Sequence, residues 1–198
     1  GFDVGAARQP KGCKNSHHSH DTDEVFVVHQ GQWKFTWGED GSDGETVLNS
    51  GDTISIPTQV FRGFENVGDD NGFLLSVLGH LPDGTPGSVT WAPYVFEEAK
   101  QYGLVLLQDG RLIDTHAGQP IPEDQPLYSP ISGEELESFR SLTLEDMSKN
   151  VCRHAEFATQ NSGGLSNGHG AQEFSVIGGQ TDPECMPAGK ISRPHNFQ

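Results

Sequence analysis

Short apolar runs separated by polar, glycine-bearing turns dominate the first eighty residues. Val25–Val28 is one such run. Trp33, Phe35 and Trp37 then alternate with Gln32, Lys34 and Thr36, the two-residue period of a half-buried strand. Ile54 and Ile56 alternate again and stop at Pro57, and Phe73–Leu78 forms a further run. The glycine-rich segments 38–44 and 68–72 supply turns between these runs. Short strands at this spacing predict a sandwich or barrel.

After residue 81 the pattern changes. Leu81–Gly87 reads as a loop. Residues 95–102 have helical composition and run into Gly103, a natural stop. Residues 104–107 and 112–114 flank Asp109-Gly110, a hairpin signal. Four prolines between Pro120 and Pro130 predict an extended linker, and Glu134–Met147 predicts short acidic helices or loops. Residues 158–189 are polar and glycine-rich. Three parts are therefore expected. These are a barrel over 1–81, a linker region with a short helix and a hairpin over 82–157, and a loop-rich segment over 158–198. That last segment is expected to carry strands of a second or completing β unit.

Charge narrows the class of function. Lys and Arg number 12 against 28 Asp and Glu, a formal net charge of −16. Such a field repels nucleic acid and anionic membranes, so neither is expected as a partner. No run of apolar residues is long enough for a transmembrane helix. Cys13, Cys152 and Cys185 form no CxxC pair, and the first residues show no charged-then-apolar leader. The expectation is a cytoplasmic protein with reduced thiols.

The candidate chemistry lies in a histidine cluster. His18 and His20 are two apart, so a strand presents both imidazoles on one face, with His17 on the other. Glu24 follows after a short turn. Two imidazoles and one carboxylate suit a single divalent transition metal with open positions, Fe(II) first and then Mn, Ni or Zn. Three surface polar residues beside a turn would read the same way in sequence. His116, His154, His169 and His195 are isolated and are expected to be structural or solvent-facing.

The frame around the cluster resembles the cupin superfamily. Gly12, His18-Ser-His20, Glu24 and Gly31 fill every position of the first cupin motif. Gly51, Pro57 and Asn66 match the second, but Gln59 stands at its glycine and Arg62 at its histidine. The resemblance covers about residues 10–80 and implies an all-β double-stranded β-helix, the cupin jelly roll, with a mixed, loop-rich C-terminal extension. The site is then expected inside the barrel.

Arg62 takes the place of the family's fourth metal ligand, and a guanidinium has only donors. Three readings stay open. Arg62 turns outward and leaves a three-ligand site; it stays inside and binds a substrate carboxylate or enolate; or it pairs with Glu24 and replaces the metal. Gln59 adds a polar amide near the same mouth. Trp33, Phe35 and Trp37 are core residues or an aromatic wall for a flat substrate, and His80 ends the last strand of the unit.

The resemblance also leaves the C-terminal part open. It is half of a bicupin or a fragment of one, or it wraps its own barrel or a homodimer partner. The expected function is a mononuclear non-haem metal oxygenase acting on a small anionic or aromatic substrate. The alternative is a metal-free, non-catalytic small-molecule-binding cupin. A pure interaction protein is a third, weaker class.

Overall fold

Alternation along Gln32–Trp37 sets the sidedness of the barrel. In the computed structural model, which describes residues 1–157, 176–178 and 191, Trp33, Phe35 and Trp37 are fully buried. Gln32 is exposed, and Lys34 and Thr36 are half-buried. The strands of the barrel, in chain order, are β1 (Phe2–Gln9), β2 (His18–His20), β3 (Glu24–Gln30), β4 (Gln32–Trp37), β5 (Gly44–Asn49), β6 (Thr53–Ile56), β7 (Arg62–Asn66) and β8 (Gly72–Gly79). Two strands from further along join them, β9 (Val89–Trp91) and β12 (Val151–Cys152).

Two five-stranded sheets result, one ordered β1-β8-β3-β6-β12 and the other β5-β4-β7-β2-β9. Apart from β4 and β5, which pair with each other, successive strands from β1 to β9 switch sheets. The β3–β4 switch is a single residue, Gly31, at φ +94°. A Cβ there would lie 3.0 Å from the Gly72 Cα, so both the turn and the close approach call for glycine. Phe26, Phe35 and Phe64 pack against one another between the sheets, with Trp33, Leu48, Ile54, Ile56 and Leu74 around them.

Asn66 of the second motif is structural. Its Nδ2 donates to the Gln9 and Asp70 carbonyls at 2.8 Å each, and its Oδ1 accepts from the Gly68 amide. It thereby ties β1 to the β7–β8 turn.

Beyond residue 81, helix α1 (Pro93–Gln101) carries proline in its first turn and ends before Gly103, at φ +75°. The hairpin β10 (Leu104–Leu106) and β11 (Leu112–Asp114) turns at Asp109-Gly110. Short helices α2 (Glu134–Glu137), α3 (Leu144–Ser148) and α4 (His154–Phe157) follow. Thr143 caps α3 by accepting from the Asp146 amide.

Residues 142–153 form a strap over the barrel. Leu142, Met147 and Val151 enter the main core. The Trp37 indole donates to the Leu142 carbonyl at 2.8 Å. Arg153 donates to Asp52 Oδ2 at 3.1 Å and to Thr46 Oγ1 at 2.8 Å. The otherwise open edge of β6 is closed by β12. Of the last segment, Val176 and Ile177 pack against Cys152 and Ile191. Gly178 donates its amide to the Ile191 carbonyl, and the segment's remaining residues, with His169, Cys185 and His195, lie outside the described ones.

The fully buried Met147 makes the strap part of the core. Met147→Ala should lower the unfolding free energy by about 2–5 kcal/mol in urea denaturation. A loss below about 0.5 kcal/mol would show that the barrel does not depend on the strap.

Candidate metal centre

Two strands from opposite sheets bring the cluster together. His18 and His20 lie on β2, and Glu24 opens β3 across the short connection 21–23. One ligand atom from each of the three lies within 4.8 Å of the others. His20 Nε2 stands 3.7 Å from Glu24 Oε2, and the two rings meet edge to face with centroids 5.1 Å apart. His20 and Glu24 are buried, and His18 is half-buried.

Both imidazoles are anchored at the same nitrogen. His18 Nδ1 donates to the Ser16 carbonyl at 2.8 Å, and His20 Nδ1 donates to the Ser88 carbonyl at 3.2 Å. That leaves Nε2 of each ring as the free lone pair. Burial, and then the Arg62 charge, hold the His18 ring at a pKa of about 3 and the His20 ring at about 4. Both are therefore neutral, as a metal ligand must be.

Ser88 was not legible as a site residue, because it lies 68 positions from His20. Asp21 clamps it, accepting from the Ser88 amide at 2.7 Å and from its hydroxyl at 2.8 Å. The β9 strand, paired with β2, carries this clamp to the site.

Arg62 points inward and is almost fully buried, which removes the outward reading. Its Nη1 donates to the His18 carbonyl at 2.9 Å, and its Nη2 pairs with Glu24 Oε2. Burial lowers the guanidinium's pKa, and Glu24 partly offsets this; arginine's ordinary value is high enough to keep it charged. Its Nε is buried without a hydrogen-bond partner among the described residues. The donor chemistry fits a divalent metal at His18, His20 and Glu24, with Arg62 holding the carboxylate from outside the ligand set.

The other candidates sit differently. Trp37 is the cross-strand neighbour of Arg62, whereas Phe35 faces Phe64 and Trp33 faces Asn66. Trp33 and Phe35 are thus core packing rather than an aromatic wall, because the Phe64 ring packs against both. The Gln59 side chain is exposed. What Gln59 contributes is its backbone, at φ +60°, which donates to the His20 carbonyl and accepts from the Arg140 amide. The position still needs the conformation that the family pattern meets with glycine. His80 Nε2 pairs with Asp3 of β1 at 3.0 Å, so its ring is engaged by the edge strand instead of the cluster. His17, on the outer face, meets Tyr94 and Thr36.

These shifts fix the pH response of the metal-free protein. Both folded pKa values lie below the ordinary 6.5, so between them and 6.5 the unfolded chain binds more protons than the native one. The stabilisation is fully present above pH 6.5 and is lost as pH falls through about 4 and then 3. Histidine NMR titration should find both rings neutral at pH 5. Titration of either near 6.5 would show that it is not held in this environment.

Residues 7–78 match the family model described as Cupin domain. No curated protein sequence matches the chain. Among solved structures, vicilin from hazelnut (Corylus avellana) aligns at TM-score 0.42 and 16% identity, over 46% of this chain and 24% of the vicilin. A Klebsiella pneumoniae protein with a double-stranded β-helix domain aligns at TM-score 0.39 and 20% identity, over 46% of this chain and 74% of its own. A Bacillus halodurans protein aligns at TM-score 0.38 and 20% identity, over 43% of this chain and 68% of its own. The chain spans about a quarter of the length of the vicilins it matches. Among the described residues no helix is long and apolar enough to cross a membrane. With the first motif complete and the second in part on the strands of an antiparallel jelly roll, residues 7–78 match the cupin domain, and the barrel has the all-β cupin fold.

Proposed function

We propose that this barrel is a metal-dependent cupin of the mononuclear non-haem oxygenase class, acting on a small anionic substrate. His18, His20 and Glu24 hold one divalent transition metal, Fe(II) in preference to Mn, Ni or Zn. The observation that carries this reading is the pair of neutral imidazoles, each fixed through Nδ1 on a backbone carbonyl with Nε2 free beside Glu24. Such anchoring sets the tautomer and aim of a ligating histidine. The metal, when bound, supplies a Lewis acid with open positions for O₂ and substrate.

Charge favours an anionic substrate. Glu24 and Arg62 cancel, so a dication leaves two formal positive charges in the barrel. A carboxylate or enolate relieves them, and the Arg62 Nε–H, without a partner among the described residues, is a spare donor for its oxygen. Arg62 then has two tasks, holding Glu24 and orienting the substrate anion.

One observation favours a second reading. The Arg62 charge, which after burial is the next cause lowering both histidines, also opposes a dication. In that reading the Arg62–Glu24 pair replaces the metal and the barrel binds a small molecule without catalysis. A homodimer belongs to either reading, supported by the exposed Phe2 and Val4 on the edge strand β1.

Elemental analysis of tag-free protein, prepared anaerobically with Fe(II) and without chelators, separates the two. The oxygenase reading predicts about one metal per chain, metal affinity lowered about 10- to 100-fold or more in His20→Ala, and O₂ uptake on adding an enolisable carboxylate. Protein that stays metal-free after Fe(II) and Mn(II) incubation supports the binding module instead.

A further inference from the structure

A row of paired residues runs across the inner face of the β5-β4-β7-β2-β9 sheet. Trp37 pairs with Arg62, Arg62 with His18, and His18 with Trp91. Residues directly opposite each other on antiparallel strands project to the same side, so these four share one face. The outer face confirms the sidedness, because there His17 meets Tyr94 at the start of α1. The next pair on the inner face is His20 with Val89. Both metal-ligating imidazoles therefore have an apolar neighbour on β9.

Burial falls along this row. Trp37 and Arg62 are fully buried, His18 and Trp91 are half-buried, and Val89 is 39% exposed. Strand β9 is the outermost of its sheet, so the interior opens to solvent on that flank, beside the ligands. The other two tryptophans are committed elsewhere. Both lie in the core, where the Trp33 indole donates to the Gln30 carbonyl and the Trp37 indole to the Leu142 carbonyl. Trp91 is the tryptophan that keeps an accessible apolar surface next to a ligand. Apolar and aromatic surface converging on a few buried polar groups is how a small-molecule pocket is lined.

We propose that Trp91, with Val89, sets the substrate class of the site as an aryl carboxylate. Its carboxylate is drawn toward the metal and Arg62, and its ring lies against the Trp91 indole. This rests on the metal-dependent reading above and supplies the apolar half of the substrate. Neighbouring strands stand about 4.8 Å apart. One strand's width thus separates His18 from the wall, a span that a phenyl ring on a short side arm covers. Aromatic pairs add to the burial of area alone, which favours a ring over an aliphatic chain. Trp91 and Val89 both lie beyond residues 7–78, so the wall is added to the stretch that matches the family model.

Nitrogen-15 NMR of the Zn(II)-loaded full chain tests this, with 3-phenylpropanoate as the probe and propanoate and 3-phenylpropan-1-ol as comparators. The chain has three tryptophans, and Trp91→Phe identifies the Trp91 indole signal by its loss. The probe should shift that signal saturably, and further than those of Trp33 and Trp37. It should bind about tenfold or more tighter than either comparator. Trp91→Ala should reduce the preference over propanoate to about twofold, whereas Trp91→Phe should keep most of it. Far-UV circular dichroism establishes that the variants are folded. A Trp91 signal that stays in place at saturating probe overturns the proposal, and this is read on the unmodified chain. An unchanged preference in folded Trp91→Ala also overturns it, as does an alcohol that binds as tightly as the carboxylate. Zinc content separates this inference from the reading it rests on. A chain that takes up no zinc overturns the metal site. The preference between the two carboxylates, which differ only in the ring, then decides the wall on the metal-free chain, and its absence there overturns the wall as well.

Discussion

The ion pair of Arg62 with Glu24 joins the two sheets through the barrel interior, and the geometry of the site depends on it. Arg62 belongs to the sheet that carries His18 and His20, and Glu24 to the one facing it. The same guanidinium also donates to the His18 carbonyl. One buried cation therefore sets the spacing between the imidazoles and the carboxylate. Burying a charge without a partner is costly, so neither member of the pair is free to leave the other. This fixes Glu24 without using up the imidazoles, whose Nε2 atoms stay available.

The motif spacing follows from this crossing. One residue separates His18 from His20 because both must face the interior of one strand. Three separate His20 from Glu24 because the chain there changes sheets. The polar shell is built from distant segments. Ser88, fixed by Asp21, aims His20 from the residue just before β9. The strap reaches the same end of the barrel through Trp37, the cross-strand neighbour of Arg62. The site therefore draws on chain well beyond residues 7–78, the stretch that matches the family model.

Period-two alternation made β4 and β6 legible, and apolar runs marked β3 and β8. The HxH spacing and its glycines placed the ligand set. Strand β1 left no such trace, since beyond Phe2 and Val4 its residues are small or polar and it is held by pairing with β8 over its full length. The direction of Arg62 was likewise hidden, because a donor-only side chain at a ligand position fits opposite orientations until its partner is seen. Gln59 and His80 suggested ligand contacts by proximity in sequence. Backbone geometry claims the first and an edge-strand aspartate the second. Trp33 and Phe35 carry the same alternation whether they line a cavity or fill a core, and only the facing residues decide.

Anomalous diffraction from crystals soaked anaerobically in Mn(II) or Fe(II) tests the central claim most directly. The account predicts one metal peak between His18 Nε2, His20 Nε2 and Glu24, with the Arg62 guanidinium still on the carboxylate. A barrel without a peak, or a metal that binds only with Arg62 displaced from Glu24, would contradict it.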